Sequence, residues 1–283
     1  MATVSSWVLS LACPDAPGIV HAVSGAIASV GGNITESQQF GAPDTGNFFM
    51  RVELDSTADE ADLRAALEPA TERFAMDWNL DRAGRRMRTI VMVSTADHCV
   101  NDILFRERAG TLPIEVVAVV GNHPTLEYLA QFYGKPFVHI PVTPESKPDA
   151  EAALLAMVEE LGVELVVLAR YMQILSPALA EALRGKAINI HHSFLPSFKG
   201  ARPYFQAHDR GVKLIGATAH YVTSDLDEGP IIEQDVERVD HAHAPEALTA
   251  MGADVEQRAL ARAVRWHAEH RVLLDGHRTI VFK

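Results

Sequence analysis

The chain has only two cysteines and three tryptophans, and no long apolar run, in 283 residues. Cys13 and Cys99 are far apart in sequence. They read as free thiols in a reducing compartment rather than as a disulfide framework. No stretch approaches the ~20 apolar residues that a bilayer span needs, so no membrane partner is expected. Met1-Ala2-Thr3-Val4-Ser5-Ser6 lacks the basic start and apolar core of a secretory signal, which makes the cytoplasm the expected location. Cations are in deficit, with a formal net charge of −12. Nucleic acids are held mainly by Lys and Arg on phosphates, so no nucleic-acid partner is expected either. The charge favours solubility and gives no support to any anionic small molecule. Hydrophobic residues make up 48% of the chain and charged residues 22%, enough to bury a real core in one large or two modest domains.

The first eighty residues follow a βαββαβ order. Trp7, Leu9 and Leu11 alternate with Val8, Ser10 and Ala12, as in a strand. Asp15 is placed to cap a helix and Pro17 to sit in its first turn. Ile19, Val20, Val23, Ala26, Ile27 and Val30 form that helix's apolar face, and Gly31-Gly32 stops it. A second strand is expected over 33–40 and a turn over 41–46, with Phe48, Met50, Val52 and Leu54 on a third strand. Thr57 with Glu60 fits a capping box for a helix carrying Leu63, Leu67, Ala70 and Phe74, which Pro69 should kink or shorten. Met76 to Leu80 completes the unit. The expected domains are 1–82 and 89–283, joined by a polar linker over 83–88 that carries Arg85, Arg86 and Arg88.

From residue 89 the pattern changes to α/β. Thr89 to Ser94, Ile114 to Gly121 and Glu164 to Ala169 are continuous apolar runs, suited to strands buried on both faces of a mostly parallel, Rossmann-like sheet. Helices are expected near 100–108, 124–133, 148–162 and 176–184. The ligand crevice should then lie at the carboxyl ends of the strands. Glycine is missing where a dinucleotide site would need it: the first strand leads into Thr95-Ala96-Asp97-His98-Cys99-Val100-Asn101-Asp102.

The most informative stretch is Asn189-Ile190-His191-His192-Ser193-Phe194-Leu195-Pro196, at the end of a short strand over 187–190. Strand alternation puts Asn189 and His191 on one side. Two polar side chains on a buried strand need partners. After the strand Leu214 to Tyr221 comes Ser224-Asp225-Leu226-Asp227-Glu228-Gly229-Pro230, a loop from which Asp227 can meet His191. An amide donor, an imidazole and a carboxylate suit attack on an N-acyl carbon: the amide meets the oxyanion, and the other two handle protons.

These residues carry a resemblance. Asn189-x-His191, Ser193-x-Leu195-Pro196 and Leu226-Asp227-x-Gly229 are similar to the motifs of the formyltetrahydrofolate-dependent formyltransferase superfamily over 88–283, at the positions of its catalytic Asn, His and Asp. The first strand, Asp15-Ala16-Pro17-Gly18 and Gly31-Gly32-Asn33-Ile34 resemble an ACT domain, a small regulatory fold of the ferredoxin-like type. Together with Gly200-Ala201-Arg202-Pro203-Tyr204, the whole chain resembles the formyltetrahydrofolate deformylase family. The resemblance implies hydrolysis of 10-formyltetrahydrofolate to tetrahydrofolate and formate by water, with no cofactor. Such a reaction supplies formate for purine synthesis and balances the one-carbon folate pool. Asn189, His191 and Asp227 would be catalytic. The pterin would lie against Met172, Gln173, Ile174 and Leu175 and against Ser224, Asp225, Leu226 and Glu228, largely through backbone groups. ACT domains pair edge to edge and often bind small amino acids, which implies a homo-oligomer (dimer or tetramer) and an amino-acid effector. Dimerisation alone is an equally simple role for that segment.

Competing readings remain. Transfer of the formyl group to an amine such as glycinamide ribonucleotide would need a phosphate cradle, and the Asp97 to Asp102 segment is acidic and lacks glycine. A methionyl-tRNA acceptor is opposed by the acidity. A silent folate or amino-acid sensor would not need all three polar groups. His192 with His220 and Asp227 invites a metal reading, but no HExxH or paired-Cys spacing supports zinc, so no metal is expected. Cys99 is read as packing or lining, His241 and His243 as turn residues, and Lys199 and Arg202 as surface.

Overall fold

The computed structural model describes residues 3–192 and 203–283. Contacts divide the chain into two compact units. One comprises residues up to Arg85 together with Glu269–Lys283, and the other is Arg86–Ala268.

The first unit contains β1 (Ser5–Pro14), α1 (Ile19–Ser29), β2 (Asn33–Ala42), β3 (Asn47–Ser56), α2 (Glu60–Arg73) and β4 (Asp77–Arg82). Its antiparallel sheet has the order β2-β3-β1-β4. Alternation in β1 and β3 sends Leu9, Leu11, Met50 and Val52 into a core shared with Val23 and Leu63 of the helices. The helix starts differ from expectation. Asp15 does not cap α1; Gly18 does, at φ 98 with no side-chain cap, a conformation that glycine adopts without strain. The cap of α2 is Asp59 rather than Thr57, its carboxylate accepting the Asp62 N–H at 2.9 Å. Pro69 does not shorten α2, which runs on to Arg73. A C-terminal hairpin, Val272–Asp275 with Arg278–Val281, brings Leu273, Ile280 and Phe282 against Ala12, Ala42 and Phe49. Nothing in the sequence separated this hairpin from the second half.

The second unit follows with β5 (Met87–Val93), α3 (His98–Arg108), β6 (Ile114–Gly121), α4 (Glu127–Phe132), β7 (Phe137–His139), α5 (Lys147–Glu160), β8 (Leu165–Leu168), α6 (Pro177–Ala182), β9 (Ala187–His191), α7 (Pro203–Asp209), β10 (Leu214–Tyr221), β11 (Ile231–Arg238) and α8 (Pro245–Ala268). The seven-stranded sheet has the order β11-β10-β9-β8-β5-β6-β7. Pairings from β7 through β9 are parallel, while β10 and β11 run antiparallel. Every residue of β8 is buried, as a strand covered on both faces requires. The chain moves outward from β5 to β7, then returns to the other side of β5 as β8. That reversal opens a crevice beyond the carboxyl ends of β5 and β8. No helix among the described residues is long and apolar enough to cross a membrane.

Candidate active site

Three segments meet at this crevice. β9 carries Asn189 and His191 in its last turns of alternation. In antiparallel register with it, β10 places His220 opposite Asn189. The chain then loops back from Tyr221 to Pro230, whose carbonyl accepts the Tyr221 N–H at 2.9 Å. Gly229 makes this return possible, since a Cβ there would lie 1.8 Å from the Tyr221 carbonyl oxygen. Asp227 sits in the loop at φ 58, a left-handed conformation that Asp tolerates better than most residues.

Asp227 Oδ2 lies 3.2 Å from His191 Nδ1. The His191 hydrogen bond holds the Asp227 carboxyl below the usual range, against an opposing effect of burial. Asp227 Oδ1 is 3.8 Å from His220 Nε2, but that contact is not an ion pair. Burial lowers the His220 pKa, keeping the ring neutral, and its Nδ1 faces the Tyr221 carbonyl at 2.9 Å. A carbonyl can only accept, so Nδ1 carries the proton and Nε2 is left as an acceptor. It accepts from Asn189 Nδ2, 3.2 Å away. One amide hydrogen of Asn189 is thereby fixed, and the other meets no acceptor among the described residues. On His191, Nε2 is buried without a hydrogen-bond partner among the described residues. His192 stacks on His191 with ring centroids 5.1 Å apart. Burial, then the Arg170 and His191 charges, bring the His192 pKa down to about 4.

Asn189, His191 and Asp227 line a cavity of about 370 Å³ together with Met172, Gln173, Ile174, Leu175, Ser224, Asp225 and Leu226. Glu228 is not part of that lining; it is exposed, and its N–H bonds to the Asp225 carbonyl at 3.3 Å. Met172, Ile174 and Leu226 are 60%, 59% and 56% exposed, an apolar rim suited to a flat ring. Ser193, Phe194, Leu195, Pro196, Lys199, Gly200, Ala201 and Arg202 lie outside the described residues.

Several residues here were given no role by the sequence. His220 was weighed only as a metal ligand, yet it orients Asn189. Ser94 is buried and joins two segments: its Oγ donates to Asn122 Oδ1 at 2.7 Å and accepts the Met172 N–H at 2.9 Å. Glu256 is buried and binds His98 Nε2 at 2.7 Å and Tyr204 OH at 2.8 Å. Burial alone would raise its carboxyl, but the His98 bond and the Arg170 charge bring it below the ordinary value. Donor atoms of His98, Cys99 and Glu256 lie within 4.8 Å of one another. The group is a poor cation cradle, because both Glu256 oxygens are engaged, the Arg170 guanidinium is 3.5 Å away, and burial pushes the Cys99 thiol well up.

Comparison with known proteins agrees with this geometry. Residues 87–264 match the formyl transferase family and residues 7–70 the ACT domain. Formyltetrahydrofolate deformylase of Corynebacterium sp. (strain P-1) is 53% identical, covering 98% of each chain. That of Bacillus subtilis is 45% identical, over 97% of this chain and 93% of its own. The crystal structure of formyltetrahydrofolate deformylase from Burkholderia mallei superimposes with a TM-score of 0.96 at 50% identity, covering 99% of this chain and 100% of that one. Glycinamide ribonucleotide transformylase 1 from Symbiobacterium toebii matches less of the chain, 72% at 33% identity and a TM-score of 0.65, and this covers 98% of that enzyme. An amide, an imidazole and a carboxylate thus meet in a formyl transferase fold with an ACT domain before it, and the chain belongs to the formyltetrahydrofolate deformylase family.

Proposed function

We propose that Asn189, His191 and Asp227 carry out the reaction of this family, hydrolysis of 10-formyltetrahydrofolate to tetrahydrofolate and formate. The observation that carries this reading is the state of His191: Nδ1 is held by Asp227 while Nε2 is buried with no hydrogen-bond partner among the described residues. An ionised Asp227 favours the tautomer with the proton on Nδ1, which leaves the Nε2 lone pair for a water molecule. His191 takes a proton as water attacks the formyl carbon. The second Asn189 N–H donates to the oxyanion that forms. His191 then gives its proton to N10 as the C–N bond breaks. Losing one oxyanion donor typically costs ~2.7–4 kcal/mol of transition-state stabilisation.

Water as the acceptor is supported by the segment after β5. Asp97, at the end of that loop, precedes α3, and the first helical residue, His98, is committed to Glu256. With no glycine and an acidic residue there, a phosphate-bearing amine has no cradle. The pterin ring is assigned to the apolar rim of Met172, Ile174 and Leu226, with Gln173, Leu175, Ser224 and Asp225 beside it. Cys13 and Cys99 are buried free thiols, in keeping with a cytoplasmic setting. The ACT unit is assigned a small amino-acid effector and a part in a homo-oligomer; a thermal-shift screen with no amino-acid response would remove the effector. The reaction itself is tested by incubating the full chain with 10-formyltetrahydrofolate and no amine. Formate release is expected, and its loss in Asn189→Ala and Asp227→Asn. Near wild-type release from both variants would remove the assignment.

A further inference from the structure

Strand alternation would send His191 and His192 to opposite faces of the sheet. Instead, β9 ends at His191 and the backbone bends at His192. The two rings thereby lie face to face, with centroids 5.1 Å apart and planes 28° from parallel, an ordinary separation for stacked rings. Both rings line the cavity with Asn189. The stack adds a restraint that Asp227 does not provide. Asp227 holds His191 by one edge, at Nδ1, 3.2 Å away. The torsion that turns an imidazole about its bond to Cβ has broad minima, so a contact at one edge lets the ring rock. A second flat ring against its face limits that motion.

The stack also has a charge requirement. His191 becomes a cation when it takes the proton of water, and a second cation against its face would oppose that step. Charged groups act on His192 from several elements. Arg170, after β8, and His191 itself disfavour its protonation, while Glu256 of α8 and Asp227 of the loop after β10 favour it. Burial is the largest influence and works with the first pair, bringing the pKa down to about 4. We propose that His192 is a positioning residue for His191: a flat, uncharged ring that fixes the plane of the catalytic imidazole without competing for its proton. Arg170 adds to burial in keeping that ring uncharged. The inference rests on the hydrolase reading above.

The test measures kcat and KM for formate release by the full chain, with 10-formyltetrahydrofolate and no amine. His192→Phe keeps a flat neutral ring, and its kcat should stay within about threefold of wild type. His192→Leu fills the space without a flat face; it should lower kcat about tenfold or more, with KM within a few-fold, because the base is misplaced. Should His192→Leu lose its near-UV circular dichroism, His192→Met takes its place. Both substitutions remove the ring nitrogens, so a Phe variant as slow as Leu would assign His192 a polar contact and overturn the proposal. A Leu variant as fast as wild type, or one impaired only in KM, would overturn it too. The charge requirement has its own readout. Arg170→Gln removes one influence that keeps His192 uncharged, so the acid limb of the kcat–pH profile should move to higher pH. Adding His192→Phe to that variant should return the limb to its place. A limb unmoved by Arg170→Gln, or moved equally with Phe at position 192, would overturn the proposal. A wild type that releases no formate overturns the hydrolase reading instead.

Discussion

Asn189 and His220 face each other across β9 and β10, joined by a 3.2 Å hydrogen bond in which the amide donates and the neutral imidazole accepts. The bond fixes which end of the amide is nitrogen, and so which atom would meet the oxyanion in the proposed mechanism. Asn189→Ala should lower kcat by about 10²–10³. His220→Phe keeps the ring but removes the acceptor. It should lower kcat by roughly tenfold or more with little change in KM, since a misaimed donor forfeits part of the same stabilisation. Residues acting through one another are not additive. The double variant should therefore be no slower than Asn189→Ala alone; steady-state rates that multiply would show that His220 acts elsewhere.

In the proposed mechanism Asp227, 3.2 Å from Nδ1, sets the tautomer of His191. In Asp227→Asn the amide can present an N–H to Nδ1, moving the ring proton to Nε2 and removing the base. A fall in kcat of about 10²–10⁴ is expected, with KM within a few-fold because Asn lines the cavity as Asp does. Single-turnover formate release measures the chemical step directly. A variant impaired only in KM would assign Asp227 to binding.

Much of this arrangement was legible in the sequence. The apolar runs over 114–121 and 214–221 became β6 and β10 with those bounds, because strands buried on both faces leave a continuous signal. Asn189, His191 and Asp227 meet because β9 and the loop after β10 end at the same crevice. What was not legible depends on partners distant in sequence. β7 has three residues, too short for periodicity. Gly18 took the cap from Asp15 through a backbone angle, which composition does not display. His220 reads as one more strand residue until the register sets it opposite Asn189. Arg170 and Glu256, 86 positions apart in numbering, are joined only by the fold. Glu228 was assigned with its neighbours in the loop, but the left-handed turn at Asp227 leaves it exposed.

Two histidines make stability pH-dependent. The folded pKa of His192 is lowered to about 4 by burial, Arg170 and His191, and that of His220 is lowered by burial. The unfolded chain takes up these protons near pH ~6.5, so between that value and the folded pKa the unfolded state binds more protons. Stability must fall as pH drops through this window, and neither group contributes a slope above it. Urea midpoints should decline from pH 7.5 to 5, and His192→Asn should decline less steeply than the wild type. Parallel pH profiles for the two proteins would contradict the assignment.

In the proposed binding mode, Ser94 bears on binding rather than on chemistry. Its hydroxyl is the one link among the described contacts between the end of β5 and the Met172 backbone, and it also satisfies Asn122. Ser94→Ala removes the partner of the part-buried Met172 N–H and leaves the buried Asn122 Oδ1 without this donor, a cost of about 1–3 kcal/mol for a buried group. The loss falls on the 170–175 segment, while Asn189, His191 and Asp227 are held by β9 and the loop after β10. The substrate KM should rise several-fold as the rim loses its anchor, kcat should stay within about threefold, a change worth less than ~1 kcal/mol, and Tm should drop. Steady-state kinetics with a thermal melt reads all three. A variant with lowered kcat and unchanged KM would mean that the Met172 segment supports the reacting groups rather than the folate ring.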